Sequence, residues 1–412
     1  MIGAGIFGVP AGAAALAGIY SPLVFLACGV LLTAVVLCFA ELASYFRATG
    51  GPILYLRTAF GPLAGFQAGW AFWIARVTAF GANLNLLVAA VAWFWAPAED
   101  GVARVLLLGA IVLVLAWPNL AGTRQGMRFV GGLTVLKFLP LVAVVAVGAA
   151  WLEPSAFPIA TTPLPGYTAF GTAALLVIYA FVGWESAVVP AAEARNPARD
   201  MPRALVLAMI MVTALYVLVQ AVAVAVLPDL AESERALVDV GVVLFGPAGA
   251  MLLTAAVVVS VGGNLAGTMV SAPRLTYALA REGHLPRWLG EVHPSARTPA
   301  HSILFFSAVV FLLAVGGTFV WLAAMSALVR VLIYMACIAA MPRLRRRFAD
   351  MPGRFRVPGG WVTAGGAFIV SGLLLVRVRL DAVLVTAAFL LAGAAIYAWM
   401  QRKGATRRAS IS

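Results

Sequence analysis

Charge is what this chain of 412 residues has least of: 10% of its residues are charged and 63% are hydrophobic, with a mean hydropathy of +1.02. Such a composition excludes a soluble globular surface and marks a polytopic membrane protein. Acids are scarcer than bases, 15 against 28. The formal charge of +13 would fit a nucleic-acid binder only if the basic residues clustered on a soluble domain, and they lie between apolar runs instead. Cysteine is nearly missing. Cys28, Cys38 and Cys337 all fall inside apolar runs without paired spacing, which argues against a disulfide framework and against thiolate metal sites. Histidine is as rare, and His284, His293 and His301 share one connection. No His-x-x-x-His or Cys-x-x-Cys pair occurs, and no serine at membrane depth has a histidine near it, so no metal, no cofactor and no enzyme activity is expected. With no basic stretch ahead of the first apolar run, no cleavable signal peptide is expected either.

What remains is long apolar runs. Spans of about 20 residues fit near 22–46, 63–95, 102–118, 129–151, 167–192, 203–227, 246–280, 301–316, 319–341, 361–377 and 382–400, with a shorter piece at 2–19. If these alternate across a bilayer, Arg57, Arg124, Arg203, Arg287, the Arg343 to Arg347 run and the Arg402 to Arg408 tail share one side. Glu99, Asp100, Glu153, Asp229 and Glu232 fall on the other. The positive-inside rule then places both termini in the cytoplasm of a multi-pass protein of the cell membrane.

Two stretches break the apolar pattern. Phe181-Val182-Gly183-Trp184-Glu185-Ser186-Ala187 puts a glycine, an acid and a hydroxyl into the run from Tyr167 to Pro190. An ionisable group at membrane depth is costly unless paired or facing a cavity, so Glu185 marks a functional site. Gly183 and Pro190 both weaken the helical ladder and predict an unwound segment. The second stretch is Gly3-Ala4-Gly5-Ile6, whose glycines would leave amides free at the start of a half-helix, where an anion is favoured. Interrupted hydrophobic segments at corresponding places in two halves point to a central solute site.

Four motifs in order then carry a resemblance over nearly the whole chain: Gly3-Ala4-Gly5-Ile6-Phe7; Ala40-Glu41-Leu42 with Thr49-Gly50-Gly51-Pro52; the Phe181 to Ala187 stretch running into Glu193 to Arg203; and Arg274 to Pro286. The sequence resembles an amino acid permease of the amino acid-polyamine-organocation superfamily. The resemblance implies an all-α LeuT-type fold, with two inverted five-helix repeats at about 1–151 and 167–341 and two extra helices at 361–400. Together they make a transporter domain over 1–400, followed by a cytoplasmic tail at 401–412. Members carry a cytoplasmic half-helix ahead of the glycine cluster, so the first helix here is expected to be truncated at its N-terminus.

An amino acid needs a donor set for its carboxylate beside an acceptor set for its ammonium. The amides of Gly3, Ala4, Gly5 and Ile6 suit the first, and the carbonyls around Phe181, Val182, Gly183 and Trp184 the second. The Trp184 ring is expected to close over the substrate as a gate. Glu185 is expected to brace the broken helix and take part in coupling. Lys137, whose pKa burial would lower, resembles the family's built-in replacement for a coupling sodium, with Ser260 as its neighbour by position. Arg76 would either recognise a substrate side chain or pair with Glu185, and Arg330 has no assigned role. The expected function is secondary active transport of amino acids, of neutral ones because Ala4 is small and its surroundings apolar, linked to protons or to exchange. The alternatives are an exporter or a polyamine or cationic amino acid antiporter. Partners beyond substrate, protons and lipid are not expected, and the protein would act as a monomer or homodimer.

Overall fold

The computed structural model describes residues 3–46, 50–92, 94–122, 138–159, 161–185, 197–351, 354–376 and 378–409. All its regular structure is helical among these residues. The α-helices in chain order are α1 Gly5–Ala17, α2 Ser21–Ser44, α3 Gly51–Phe60, α4 Pro62–Ala92, α5 Gly101–Ala121, α6 Phe138–Gly148, α7 Tyr167–Phe181, α8 Pro197–Val226, α9 Ala236–Phe245, α10 Pro247–Ser271, α11 Pro273–Arg281, α12 Ala300–Gly316, α13 Phe319–Arg347, α14 Gly360–Leu375 and α15 Leu380–Ala409. Seven helical stretches are long and apolar enough to cross a membrane, one of them running continuously through α1 and α2. Shorter apolar helices of 10–17 residues add to these. The protein is therefore an all-α, multi-pass membrane protein.

Two helix boundaries differ from the spans read off the sequence. The run at 246–280 divides into α10 and α11, because Pro273 has no amide to continue the ladder and α10 ends with the Ala272 amide on the Thr268 carbonyl. The run at 167–192 is interrupted after Phe181, at the expected break.

Burial sorts the helices into an inner and an outer set. On α4, Trp73, Phe80 and Leu84 are fully enclosed, and on α13 Leu322, Met325 and Val329 are. On α5 the large apolar side chains Leu113, Val114 and Trp117 point outward, as lipid-facing residues do. Lipid tails are as apolar as leucine, so helices gather here through close packing and polar ties rather than hydrophobic burial. The longest-range ties run between early and late helices. Gln220 of α8 donates to the Ser21 hydroxyl of α2 at 2.8 Å and to the Pro10 carbonyl of α1 at 3.2 Å. At the other end of α2, Glu41 is completely buried and holds Arg345 of α13 in a two-pronged pair at 2.6 and 2.8 Å. The same carboxylate accepts from the Tyr45 hydroxyl at 2.6 Å and from the Val357 amide at 2.8 Å, just ahead of α14. The Arg345 guanidinium then lies 4.1 Å over the Trp361 ring of α14. One carboxylate thus joins α2, α13 and α14.

Removing one partner of a buried pair strands the other charge, at about 3–5 kcal/mol. Arg345→Met is therefore expected to lower the melting temperature of the purified protein clearly. The double change Glu41→Gln with Arg345→Met should recover part of that loss, since glutamine carries no charge to strand. Strictly additive losses in a thermal-shift series would show that the pair is not coupled.

Candidate functional site

The site forms where two helices are interrupted beside one another. After Phe181, Val182 turns to an extended conformation, with φ −66° and ψ 161°, and Gly183 takes φ 110°, a region open to glycine and strained for other residues. That pair of angles ends α7 in the middle of an apolar run and leaves its last carbonyls without helical partners. Across from it, α1 starts at Gly5, so the amides of Gly5 and Ile6 have no partner within α1 itself. The two helices meet backbone to backbone. A Cβ placed on Gly5 would stand 2.3 Å from the Ala180 Cα, so glycine is what permits the approach.

A cavity of ≈ 470 Å³ opens at this meeting point. Gly3, Ala4 and Gly5 line it from α1, with Val182, Gly183 and Glu185 facing them from the broken segment. Arg76 and Asn83 of α4, Tyr179 of α7 and Arg330 of α13 complete the central wall. At one end the Tyr179 hydroxyl donates to the Ala79 carbonyl at 3.2 Å and to Asn83 Oδ1. Its ring meets Phe319 edge-on at 5.9 Å and helps to close that end. At the other end the lining passes to Gly50, Pro52, Leu275 and the exposed Asn264, beside α3 and α11. These two helices carry the exposed Arg57 and Arg281.

Glu185 is 4% exposed and spends both oxygens on the protein itself. Oε2 accepts from the Gly183 amide at 2.6 Å, which fixes the unwound turn. Oε1 accepts from the Tyr334 hydroxyl and lies 3.1 Å from Arg330 Nε. The Arg330 contact is ionic in character, because Nε does not aim its proton at the oxygen. Arg330 is held further by the Ala75 carbonyl at 3.3 Å and by Ser326. A buried acid is tolerable on these terms, with its charge matched and its lone pairs used. Arg330 is the close ionic partner of Glu185, and Arg76 reaches towards Ser271. The Arg76 Nη1 donates to the Ser271 hydroxyl at 3.2 Å, towards the mouth.

Several expected residues fall elsewhere. The Trp184 ring, expected as a gate, is 2% exposed and packs edge-on against Phe39 at 4.8 Å and beside Tyr334 at 5.1 Å, behind the unwound turn rather than over the cavity. The left-handed Gly183 reverses the chain just before it, and that turns the ring inward. Ile6 and Phe181 are fully buried, with the Phe181 ring 5.2 Å from Tyr216, and neither is among the residues that line the cavity. Ser260 lies completely buried on α10 and donates to the Gly3 carbonyl at 3.4 Å. Lys137 lies outside the described residues. Arg330 and Tyr334 are the side chains that sequence reasoning left without a role. They sit one turn apart on α13, and an arginine within an apolar run was the signal for them, since it needs an acid such as Glu185 at membrane depth.

Comparison with known proteins places this geometry. A family model described as amino acid permease matches residues 1–400. The chain is similar to the serine/threonine exchanger SteT of Bacillus subtilis, with 28% identity over 98% of this chain and 94% of the relative. It is similar to the branched-chain amino acid permease BcaP of the same organism, with 28% identity over 98% and 90%. It also resembles the large neutral amino acids transporter small subunit 2 of Rattus norvegicus, with 29% identity over 87% and 69%. These relatives are transporters, not enzymes. With a match that runs from the first glycine cluster through α15, the chain belongs to the amino acid permease family of the amino acid-polyamine-organocation superfamily.

Proposed function

We propose that the protein is a secondary active transporter that binds an α-amino acid between its two broken helices and moves it by alternating access. The observation that carries this reading is the cavity itself, with helix-start amides from α1 on one wall and helix-end carbonyls from α7 on the other. The first suits a carboxylate and the second an ammonium, the spacing an amino acid presents. Element order supports a LeuT-type pair of inverted repeats. In each half a short broken helix (α1, α7) precedes a long one (α2, α8), a 10-residue helix (α3, α9) and another long one (α4, α10). The corresponding first helices pack on each other, as do the second ones, with α14 and α15 as the extra pair.

With both termini in the cytoplasm, the mouth beside α3 and α11 faces inward, and this conformation is the cytoplasm-open one. Ser260 on Gly3 ties α10 to the start of α1, where the coupling role of Lys137, Glu185 and Ser260 belongs; the driving step is proton-linked or an exchange. The single acid among the described residues of the central wall is occupied by Arg330, Tyr334 and Gly183, which weighs against the cationic amino acid or polyamine alternative.

In proteoliposomes, uptake is expected to saturate and to show counterflow, which a channel would not. Glu185→Gln should insert normally and transport about tenfold more slowly or worse, because Arg330 loses its counter-ion; unaltered uptake would remove Glu185 from the mechanism. Gly5→Leu should abolish thermal stabilisation by substrate, since even a Cβ there collides with Ala180. Lys137→Ala should retain some affinity while losing pH dependence between about pH 5 and 8, and a wild-type pH profile would make that lysine a packing residue.

A further inference from the structure

A second cavity, of ≈ 980 Å³, lies between the turn that follows α11 and the last helix. Arg281, Arg287, Trp288, Trp399 and Lys403 line it, and no acid is among its described lining residues. The acids nearest in sequence are engaged elsewhere, Glu282 with Arg57 and His284 at 3.9 and 3.4 Å and Glu291 with His301 at 3.6 Å. Both walls are held in place. Gly283, at φ 79°, reverses the chain after α11, with the His284 amide on the Leu279 carbonyl at 2.9 Å. The Arg287–Gly290 turn that follows is tied to α12 by the Ser302 hydroxyl on the Leu289 carbonyl at 2.8 Å. On the other wall α4 fixes the rotation of α15: Trp70 Nε1 donates to the Phe389 carbonyl at 2.8 Å, and a Cβ on Gly393 would collide with the Trp70 ring. This leaves Leu384, Leu391, Ala395, Trp399 and Lys403 exposed, and their steps of seven and four residues put them on one stripe. The stripe passes from apolar to aromatic to basic, the order met on leaving bilayer hydrocarbon for the headgroups.

We propose that this cavity binds the phosphate headgroup of an anionic phospholipid whose acyl chains lie along the stripe from Leu384 to Trp399. Arg281 and Arg287 bring planar forks that match phosphate oxygens. Lys403, 4.2 Å over the Trp399 ring, adds a third cation at the rim. Inorganic phosphate shares the headgroup's chemistry but makes no use of the apolar part of the stripe, and that part assigns the site to a lipid. The half-exposed rings of Trp288 and Trp399 sit where amphipathic aromatics meet a membrane surface. With the orientation expected from the basic residues, the leaflet is the cytoplasmic one, where basic pockets between helices take anionic headgroups. A lipid seated there bridges the turn after α11 and α15.

Native mass spectrometry of the purified full-length protein in detergent tests this, with titration by phosphatidylglycerol, by phosphatidylcholine of the same chain length and by inorganic phosphate. Phosphatidylglycerol should bind about tenfold more tightly than phosphatidylcholine. In the double variant Arg281→Gln with Arg287→Gln that preference should fall to about twofold or less, and Lys403→Gln, on the opposite wall, should lower it in part. Arg379→Gln, beside Asp381 at the far end of α15, should leave it unchanged. Equal affinity for the two lipids in the unaltered protein overturns the proposal whatever the variants do. A full preference kept in the double variant places the anionic lipid elsewhere and overturns it too. Inorganic phosphate that displaces phosphatidylglycerol at matching affinity would make this a site for soluble phosphate and remove the lipid.

Discussion

The structure depends on keeping one carboxylate charged inside an apolar protein. Glu185 cannot be solvated by lipid, and the three groups that satisfy it come from three different places: its own turn, through the Gly183 amide, and two successive positions of α13, through Arg330 and Tyr334. The break in α7 and the placement of α13 are thus linked. Were α7 a continuous helix, the Gly183 amide would be spent on an intrahelical carbonyl and unable to donate to the acid. The unwound turn supplies the amide, the acid holds the turn, and the ion pair anchors both to α13. An opening in a membrane helix is then stable because its polar groups are used internally.

A second carboxylate does a related job far along the chain. Glu41 gathers Arg345, Tyr45 and the Val357 amide at the basic end of the bundle. Both acids pair with α13, one near its middle and one near its end. That helix therefore receives charge-based registration at two depths, which packing of leucine and valine against leucine and valine would not specify.

The apolar runs made most of the helix positions legible, because a span needs a fixed length of apolar residues wherever it lies. The broken segments were legible for the opposite reason: a glycine with an acid in an apolar run violates the local rule. The direction of the Trp184 ring was not, since it depends on the φ of Gly183, which sequence does not state. The role of Arg330 was missed because its partner lies far away in sequence, and only the fold brings α7 against α13. The division of 246–280 at Pro273 was readable in principle, since proline at that point cannot continue a ladder. Composition marks the same place, since Arg274 and Arg281 make α11 far less apolar than α10.

The contact of Gly5 with Ala180 also has a mechanical side. Two helices whose backbones touch at one point, with no side chain between them, form a pivot. Sliding one past the other would drive the Ala4 or Ile6 side chain into that space, so shear along this line is blocked and rotation about it is left open. The spacing of the two cavity walls is thus fixed by a missing methyl group.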